Sequence, residues 1–237
     1  MPSFSYFFPP NVFRFISDRS VDFKLDETKG LNDEQREFLA VQFNIPDVVN
    51  IKQVHGDNIL IVTEDDFPVK QEGEHKIPEA DGLITNRPYI PLAVRTADCV
   101  PLFLYDDKTK CVGLIHAGWK GCQKEIAKKS VFLMTHRFKS DAADIKAFIG
   151  PCIQVFNYEV GEDLIKIFPN EIKQKHNKYY LDLPLAVMNQ LEEAGVAHEH
   201  ILNSGDCTYA NSSLFSYRRE KEKAGRMISI MMLLGKK

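Results

Sequence analysis

Residues 90–121 read IPLAVRTADCVPLFLYDDKTKCVGLIHAGWKG, and their alternation of short apolar runs with polar turns decides the fold class. Ile90 to Val94 and Val100 to Tyr105 predict buried extended segments on either side of a polar turn, Arg95-Thr96-Ala97-Asp98-Cys99. Cys111 to Ile115 predicts a third strand. After Gly118 the period changes. Ala127, Val131, Met134 and Phe138 recur at spacings of four, three and four while Lys124, Lys128 and Lys129 take the other side, which predicts one long amphipathic helix.

Working outward, Asp144 to Ile149 reads as a strand ended by Gly150-Pro151, and Val160 to Phe168 as a helix stopped by Pro169. Pro184 opens another helix that Gly195 closes. Leu214 to Tyr217 and Arg226 to Met232 flank a charged bend and predict a hairpin. Upstream, Asn11 to Phe15 reads as a strand, and Asn32 with Gln35 three residues on opens a helix with Phe38, Leu39 and Phe43 on its apolar side. Val48 to Val62 reads as a strand interrupted near His55-Gly56, and Glu64 to Glu79 as a charged, exposed loop. Strands and helices mix without strict βαβ alternation, so the expected fold is α+β, layered, with mixed sheets. No repeat or Gly/Ser/Pro-rich linker interrupts the chain, and residues 1–237 read as a single domain.

Composition narrows the function classes. At 237 residues the chain is long enough to bury a core without staples, and a formal charge of -3 provides no broad positive field for nucleic acid or an anionic membrane. A small neutral or anionic molecule in a local pocket fits better. The five cysteines, Cys99, Cys111, Cys122, Cys152 and Cys207, are odd in number and scattered, which is not how a disulfide framework is written and suggests a reducing compartment. Met1 to Phe15 lacks a basic start and is cut by Pro9 and Pro10, so no secretory signal is expected. No apolar run approaches the roughly 20 residues of a membrane span. The expected location is the cytoplasm.

Three segments share one grammar, in which an apolar strand delivers a metal-type ligand at a tight turn: Gln53-Val54-His55-Gly56, Thr96-Ala97-Asp98-Cys99-Val100-Pro101 and Ile115-His116-Ala117-Gly118-Trp119-Lys120-Gly121. Two imidazoles and a thiolate suit zinc, and three protein ligands leave the fourth position open, as in catalytic sites. Taken singly, each histidine reads more often as a surface or hydrogen-bonded turn residue and Cys99 more often as a small core residue; the polar, restricted turn made by Asp98 and Pro101 is what raises Cys99. Asp98 either orients a ligand and moves protons or forms the turn. His198 and His200, beside Glu199, read as an exposed loop; Cys152 and Cys207 read as buried structural thiols. Arg218 and Arg219, after an aromatic segment, read either as a bidentate phosphate clamp or as a solvated hairpin end.

Taken together, Gln53 to Gly56, Ala80-Asp81-Gly82, Thr96 to Pro101, His116 to Gly121, Ile149-Gly150-Pro151, Tyr158-Glu159-Val160-Gly161, Asp206-Cys207-Thr208 and Phe215 to Arg219 with Gly225-Arg226 resemble the laccase-domain family. Its members were earlier named polyphenol oxidases and are now described as purine nucleoside phosphorylases. The motifs span about residues 50 to 230. The resemblance implies a single α+β domain similar to the catalytic domain of the cytotoxic necrotizing factor toxins. It also implies zinc at His55, Cys99 and His116, purine nucleoside phosphorolysis and adenosine deamination. Copper, implied by the older name, is the lesser alternative: a multicopper oxidase needs several clustered His-x-His pairs and a blue-copper site, and this chain has seven histidines with one such pair. The family's Arg and Gly-Gly arm and its Ser-Leu-Asn segment have no counterpart between Arg14 and Phe43, and Phe156-Asn157 stand where relatives often carry cysteines.

The leading expectation is a zinc enzyme acting on adenosine, inosine or methylthioadenosine with phosphate as co-substrate. His55, Asp98, Cys99 and His116 are its catalytic set, and Gln53, Trp119, Lys120, Arg218 and Arg219 meet the substrate. A cysteine hydrolase or amidase acting on cell-wall precursors, with Cys99 as nucleophile and His116 or His55 as base, is a second expectation. A zinc-stabilised binding protein without turnover is a third. The chain is expected to be a monomer or homodimer.

Overall fold

The computed structural model describes residues 7–26, 30–66 and 77–235. Three strands found at the centre of the sequence form the middle of the largest sheet: β3 (Gly82–Thr85), β5 (Val100–Asp106) and β6 (Cys111–Ala117), which follow β1 (Val12–Ile16), α1 (Asp33–Phe43), β2 (Ile59–Ile61) and β4 (Leu92–Thr96) in the chain. After them come α2 (Trp119–Gln123), α3 (Ile126–Phe138), β7 (Lys146–Ile149), β8 (Glu159–Val160), β9 (Ile172–Lys175), β10 (Lys178–Leu181), α4 (Leu183–Glu193), β11 (Ile201–Asn203), α5 (Tyr217–Glu220) and β12 (Met227–Leu233). The six-stranded sheet has the order β11-β7-β5-β6-β3-β2 and is mixed, parallel at both edges and antiparallel between. A second, antiparallel sheet is ordered β1-β12-β4 and a third β8-β10-β9.

Strand alternation sorts the core into layers. Leu102, Leu104 and Ile149 pack on one side against Ile126, Val131 and Met134 of α3 and Val187 and Leu191 of α4. Phe103, Tyr105, Leu114 and Phe148 point the other way, onto Val12, Leu92, Val94 and Met231 of the smaller sheet. The far face of that sheet, with Ala93, Ile228 and Ile230, takes Leu39 and Phe38 of α1. The result is helix, sheet, sheet, helix, the layered α+β arrangement with mixed sheets that the pattern predicts. Among the described residues, no helix is long and apolar enough to cross a membrane.

The capping box of α1 is present, with Asn32 accepting from the Gln35 N–H and the Gln35 side chain accepting from the Asn32 N–H. Asp182 caps α4, and Gly195 closes it at φ 95°. Other expectations need correction. The long helix after Gly118 is two helices, broken where Glu125 takes φ 60°. Gln190 of α4 fits that break, donating to the Cys122 carbonyl at 2.7 Å and accepting from the Ala127 N–H at 3.3 Å. Val160 to Phe168 is not an α-helix: Val160 pairs with Tyr179 in a sheet, and a 3-10 turn at Glu162–Leu164 follows. The β9–β10 hairpin, turning through His176 and Asn177 at φ 49° and 58°, had no sequence expectation.

Val48 to Val62 is extended but bridged singly at Val49 and Lys52 before β2. The polar turn is shorter than expected, since β4 runs through Arg95 and Thr96. Residues 67–76 of the expected charged loop lie outside the described residues. The C-terminal hairpin does not form. Met227, Ile228, Ile230 and Met231 are all fully buried, so β12 is apolar on both faces and takes a central place between β1 and β4.

Candidate metal centre

The three ligand-bearing turns converge at one end of the large sheet. Pro101 of β5 faces His116 of β6, which places Cys99, just before β5, beside Gly118, just after β6. His55 arrives from the segment between β1 and β2 in left-handed backbone, at φ 57°, and Asp98 turns the chain into Cys99 at φ 96°. Such non-glycine conformations cost about 1–3 kcal/mol each and persist where surrounding contacts over-determine them. The metal-type ligand atoms of His55, Cys99 and His116 lie within 4.8 Å of one another. The two imidazoles meet edge to face, with centroids 4.8 Å apart. Gly118 is required by close approach: a Cβ there would sit 3.0 Å from the Cys99 Sγ and 3.3 Å from the His55 ring. At Gly121 a Cβ would come to 2.9 Å from the Gly56 carbonyl oxygen.

Asp81, at the turn into β3, holds this arrangement together, and sequence reading quoted it in a motif without giving it a role. Its fully buried carboxylate accepts from the backbone N–H groups of Val54 (3.3 Å), His55 (3.0 Å) and Gly56 (2.6 Å). Its Oδ1 also lies 2.8 Å from the His116 Nδ1. One carboxylate therefore fixes the backbone of one histidine and the ring of the other, and leaves the His116 Nε2 as the ring nitrogen that could hold a metal ion. An acidic residue between Ala80 and Gly82 at the head of an apolar strand is the signal that marks it.

The electrostatics follow from this packing. Burial alone pushes the Cys99 thiol up, but the charge and hydrogen bonding of His116 and His55 outweigh it and bring the group down to about 6. Burial opposes charging of His116, yet the Cys99 thiolate and the Asp81 hydrogen bond raise it above the ordinary histidine range. The two shifts run in the same sense and favour the thiolate and imidazolium forms of the pair. Burial raises the thiols of Cys111, Cys122 and Cys152 instead. In metal-stripped native protein, iodoacetamide is expected to alkylate Cys99 ahead of those three. Its rate should rise with pH as the thiol deprotonates, reaching half-maximum near pH 6. Peptide mapping across pH 5 to 9 checks this, and labelling that begins only above pH 8 would contradict the assignment.

The centre opens into a cavity of about 850 Å³ whose lining includes Gln53, Trp119, Tyr158 and Arg218. The structure distributes the sequence candidates unequally around it. Gln53 lines the cavity, but its side-chain amide is bonded at both ends to the Arg95 backbone, at 2.8 Å each. Asp98 accepts from Thr208 Oγ1 and from the Arg218 N–H through its two carboxylate oxygens, both at 2.6 Å, and so ties the Thr208 and Arg218 loops together. Arg218 is thereby placed with its guanidinium 5.2 Å from the Tyr158 ring centroid. Lys120 does not line the cavity and lies against the Trp119 ring.

Arg219 is corrected from a phosphate ligand to a structural residue. Its guanidinium donates to the carbonyls of Thr208, Tyr209, Asn211 and Leu214 and pairs with Glu220. Truncation to alanine strands two partly buried carbonyls, those of Thr208 and Leu214, each worth about 1–3 kcal/mol when orphaned, while those of Tyr209 and Asn211 are exposed and turn to water. Arg219→Ala is therefore expected to lose about 2–4 kcal/mol of stability with metal content unchanged, read by urea denaturation and metal analysis. Cys152 is buried, and its backbone bridges that of the half-buried Cys207. His198 is exposed, as expected, and pairs with Glu192, but His198–His200 form a 3-10 turn rather than a loop and His200 is half-buried.

Among the described residues, His55, Cys99 and His116 form the one group of three or more such side chains with metal-binding geometry. The residues fit a single zinc-type ion: two imidazoles and a low-pKa thiol converge, and the outer oxygen of Asp81 orients one ring as metal-bound histidines require.

Known proteins resemble this chain over most of its length. A family model described as multi-copper polyphenol oxidoreductase laccase matches residues 21–234. A purine nucleoside phosphorylase of Clostridium acetobutylicum is 33% identical over 222 residues, covering 91% of this chain and 89% of that protein. The purine nucleoside phosphorylase YlmD of Bacillus subtilis is 37% identical over 210 residues, covering 84% and 76%. Among solved structures, YlmD from Geobacillus stearothermophilus superposes with TM-score 0.85 at 27% identity over 95% of this chain and 93% of that one. The hypothetical protein YfiH of Bacillus licheniformis gives 0.82 at 31% identity over 94% and 92%.

Proposed function

The chain belongs to the multi-copper polyphenol oxidoreductase laccase family, and from that premise we propose that it is a zinc-dependent purine nucleoside phosphorylase with a weaker adenosine deaminase activity, folded as one domain over residues 1–237. The observation that carries the reading is a single cavity joining the His–Cys–His centre to an aromatic pair, Trp119 and Tyr158, and to the Arg218 guanidinium. Relatives of this length and similarity that bear the name purine nucleoside phosphorylase support it.

In phosphorolysis a phosphate oxygen bonds to C1′ of the ribose, the bond from C1′ to the purine nitrogen breaks with its electron pair going to the base, and the base leaves protonated. The products are free base and ribose 1-phosphate, with no change of oxidation state. Trp119 and Tyr158 offer flat faces to a purine. Burial raises the Tyr158 hydroxyl above its ordinary range, so it stays protonated and keeps its proton available to a bound acceptor. Arg218, steered by Asp98, presents a permanent cation to the phosphate. His55, Cys99 and His116 would hold the zinc ion, with Asp81 fixing the ring of His116. Zinc, when bound, supplies Lewis acidity and a depressed water pKa of about 7, the chemistry that hydrolytic removal of a purine amino group needs.

A second reading has its own support. Asp81, His116 and Cys99 are linked in the order of an orienting acid, a base and a nucleophile, the arrangement of a thiol hydrolase acting on an amide. Metal separates the two, since zinc should activate the phosphorylase and block the thiol. The decisive experiment incubates metal-analysed protein with adenosine, inosine and methylthioadenosine, with and without phosphate, and identifies products by chromatography. Phosphate-dependent release of base with zinc dependence is expected. Neither base nor inosine from adenosine, together with cleavage of an amide by zinc-free protein, would replace the phosphorylase with the hydrolase.

A further inference from the structure

Arg95, on β4, lines the same cavity and is 5% exposed, yet no salt bridge joins it to a carboxylate among the described residues. Its Nε donates to the Phe23 carbonyl at 2.9 Å and its Nη2 to the Asn50 side-chain oxygen at 2.6 Å, both neutral acceptors, while its Nη1 has no partner among the described residues. Asp47, whose charge reaches it, pairs with Arg36. Burial lowers the guanidinium only to about 10, so it remains charged at neutral pH. A buried charge without a counter-charge costs several kcal/mol, and a strongly perturbed group lining a cleft is a candidate for a functional role.

The surroundings indicate the sign and size of that ligand. Phe23 ties Arg95 to further cations: its carbonyl accepts from Arg95, its N–H donates to the Arg226 carbonyl, and Lys24 follows it in the chain. The Arg226 guanidinium lies 6.0 Å from the Tyr217 ring centroid, and Arg218 is the next residue. Lys24, Arg95, Arg218, Lys221 and Arg226 all line the cavity, where the one carboxylate, Asp98, already accepts from Thr208 and Arg218. Lys24, Arg218, Lys221 and Arg226 carry no ion pair among the described residues. In a protein of net charge -3, this concentration of one sign is local.

We infer that the end of the cavity built from Lys24, Arg95 and Arg226 is a phosphate subsite, with Arg95 as its buried, preset charge. This deepens the phosphorylase reading by giving its phosphate a seat, and rests on that reading only for what the phosphate does. The group reaches the site either as inorganic phosphate or as the 5′-phosphate of a nucleotide.

Zinc-loaded protein is titrated with inorganic phosphate and, separately, with adenosine 5′-monophosphate by calorimetry, and the KM for phosphate and for nucleoside is measured in phosphorolysis. Arg95→Met and Arg226→Met are each expected to weaken phosphate binding by about 10–100-fold, the effect of losing a charge-assisted contact, while the nucleoside KM changes less than about threefold. If Arg95→Met fails a thermal-melting check, Arg226→Met, whose side chain is not buried in the core, carries the test. Weakening confined to the nucleotide assigns the subsite to a 5′-phosphate. Wild-type affinity for both ligands in the folded variants, or no binding of either by the wild type, overturns the subsite. Binding that is lost in the variants, by a protein that cleaves no nucleoside, leaves the subsite standing and removes the phosphorylase reading.

Discussion

Replacing Cys99 by alanine is expected to remove most bound metal and nearly all nucleoside turnover while leaving the fold largely intact. In the proposed centre the thiol supplies one of three ligands and the only anionic one, and its partners His55 and His116 already favour the thiolate. Loss of an outer partner of a metal site typically costs about 10–100-fold in affinity or activity. Loss of a ligand itself should exceed that. The fold survives because Cys99 is half-buried at the rim of the cavity, outside the interleaved strands of the core. Cys152→Ala is the control: its side chain is fully buried and packs in the main core, so it should keep full metal stoichiometry and lose at most a few kcal/mol of stability. Metal per chain and turnover are measured on both. Full zinc occupancy and normal rates in Cys99→Ala would remove the proposed centre.

The second large effect is expected at Asp81, through geometry rather than ligation. Asn at this position keeps the size of the side chain but turns one acceptor oxygen into an N–H donor. Oδ1 faces the His55 N–H and the His116 Nδ1, and Oδ2 faces the N–H groups of Val54 and Gly56. Either orientation of the amide therefore sets donor against donor in a fully buried place. Asp81→Asn should lower stability by about 1–3 kcal/mol and zinc affinity by about 10–100-fold. A competition assay with a chelating dye reads the affinity, and thermal melting reads the stability. Unchanged zinc affinity would show that His116 needs no orienting carboxylate, and the metal assignment would lose its principal structural support.

Much of the architecture is local and was therefore legible. The apolar runs around residues 90–117, the capping box at Asn32 and Gln35 and the helix opened by Pro184 and closed by Gly195 each carry their signal within a few residues. Expectations failed where a distant neighbour decided the outcome. Gln190, 68 residues from Cys122, settles the helix break by satisfying the freed carbonyl. The C-terminal run pairs with β1 and β4 because a strand buried on both faces needs two neighbours, and the adjacent Leu214 to Tyr217 segment cannot supply both.

The same division runs through the site. Residue types and turns at His55, Cys99 and His116 identified a possible ligand set from sequence alone, because zinc chemistry depends on which donors are present. Only the tertiary structure brought those donors within 4.8 Å, made Asp81 the orienting group, and turned Arg219 toward the carbonyls it holds. It also left Arg95 buried inside the cavity without a carboxylate partner. Side-chain chemistry is a property of each residue, readable one position at a time. Burial, pairing and the dielectric around a charge belong to contacts between residues far apart in the chain, 120 positions in the case of Asp98 and Arg218, and exist only once the chain has folded.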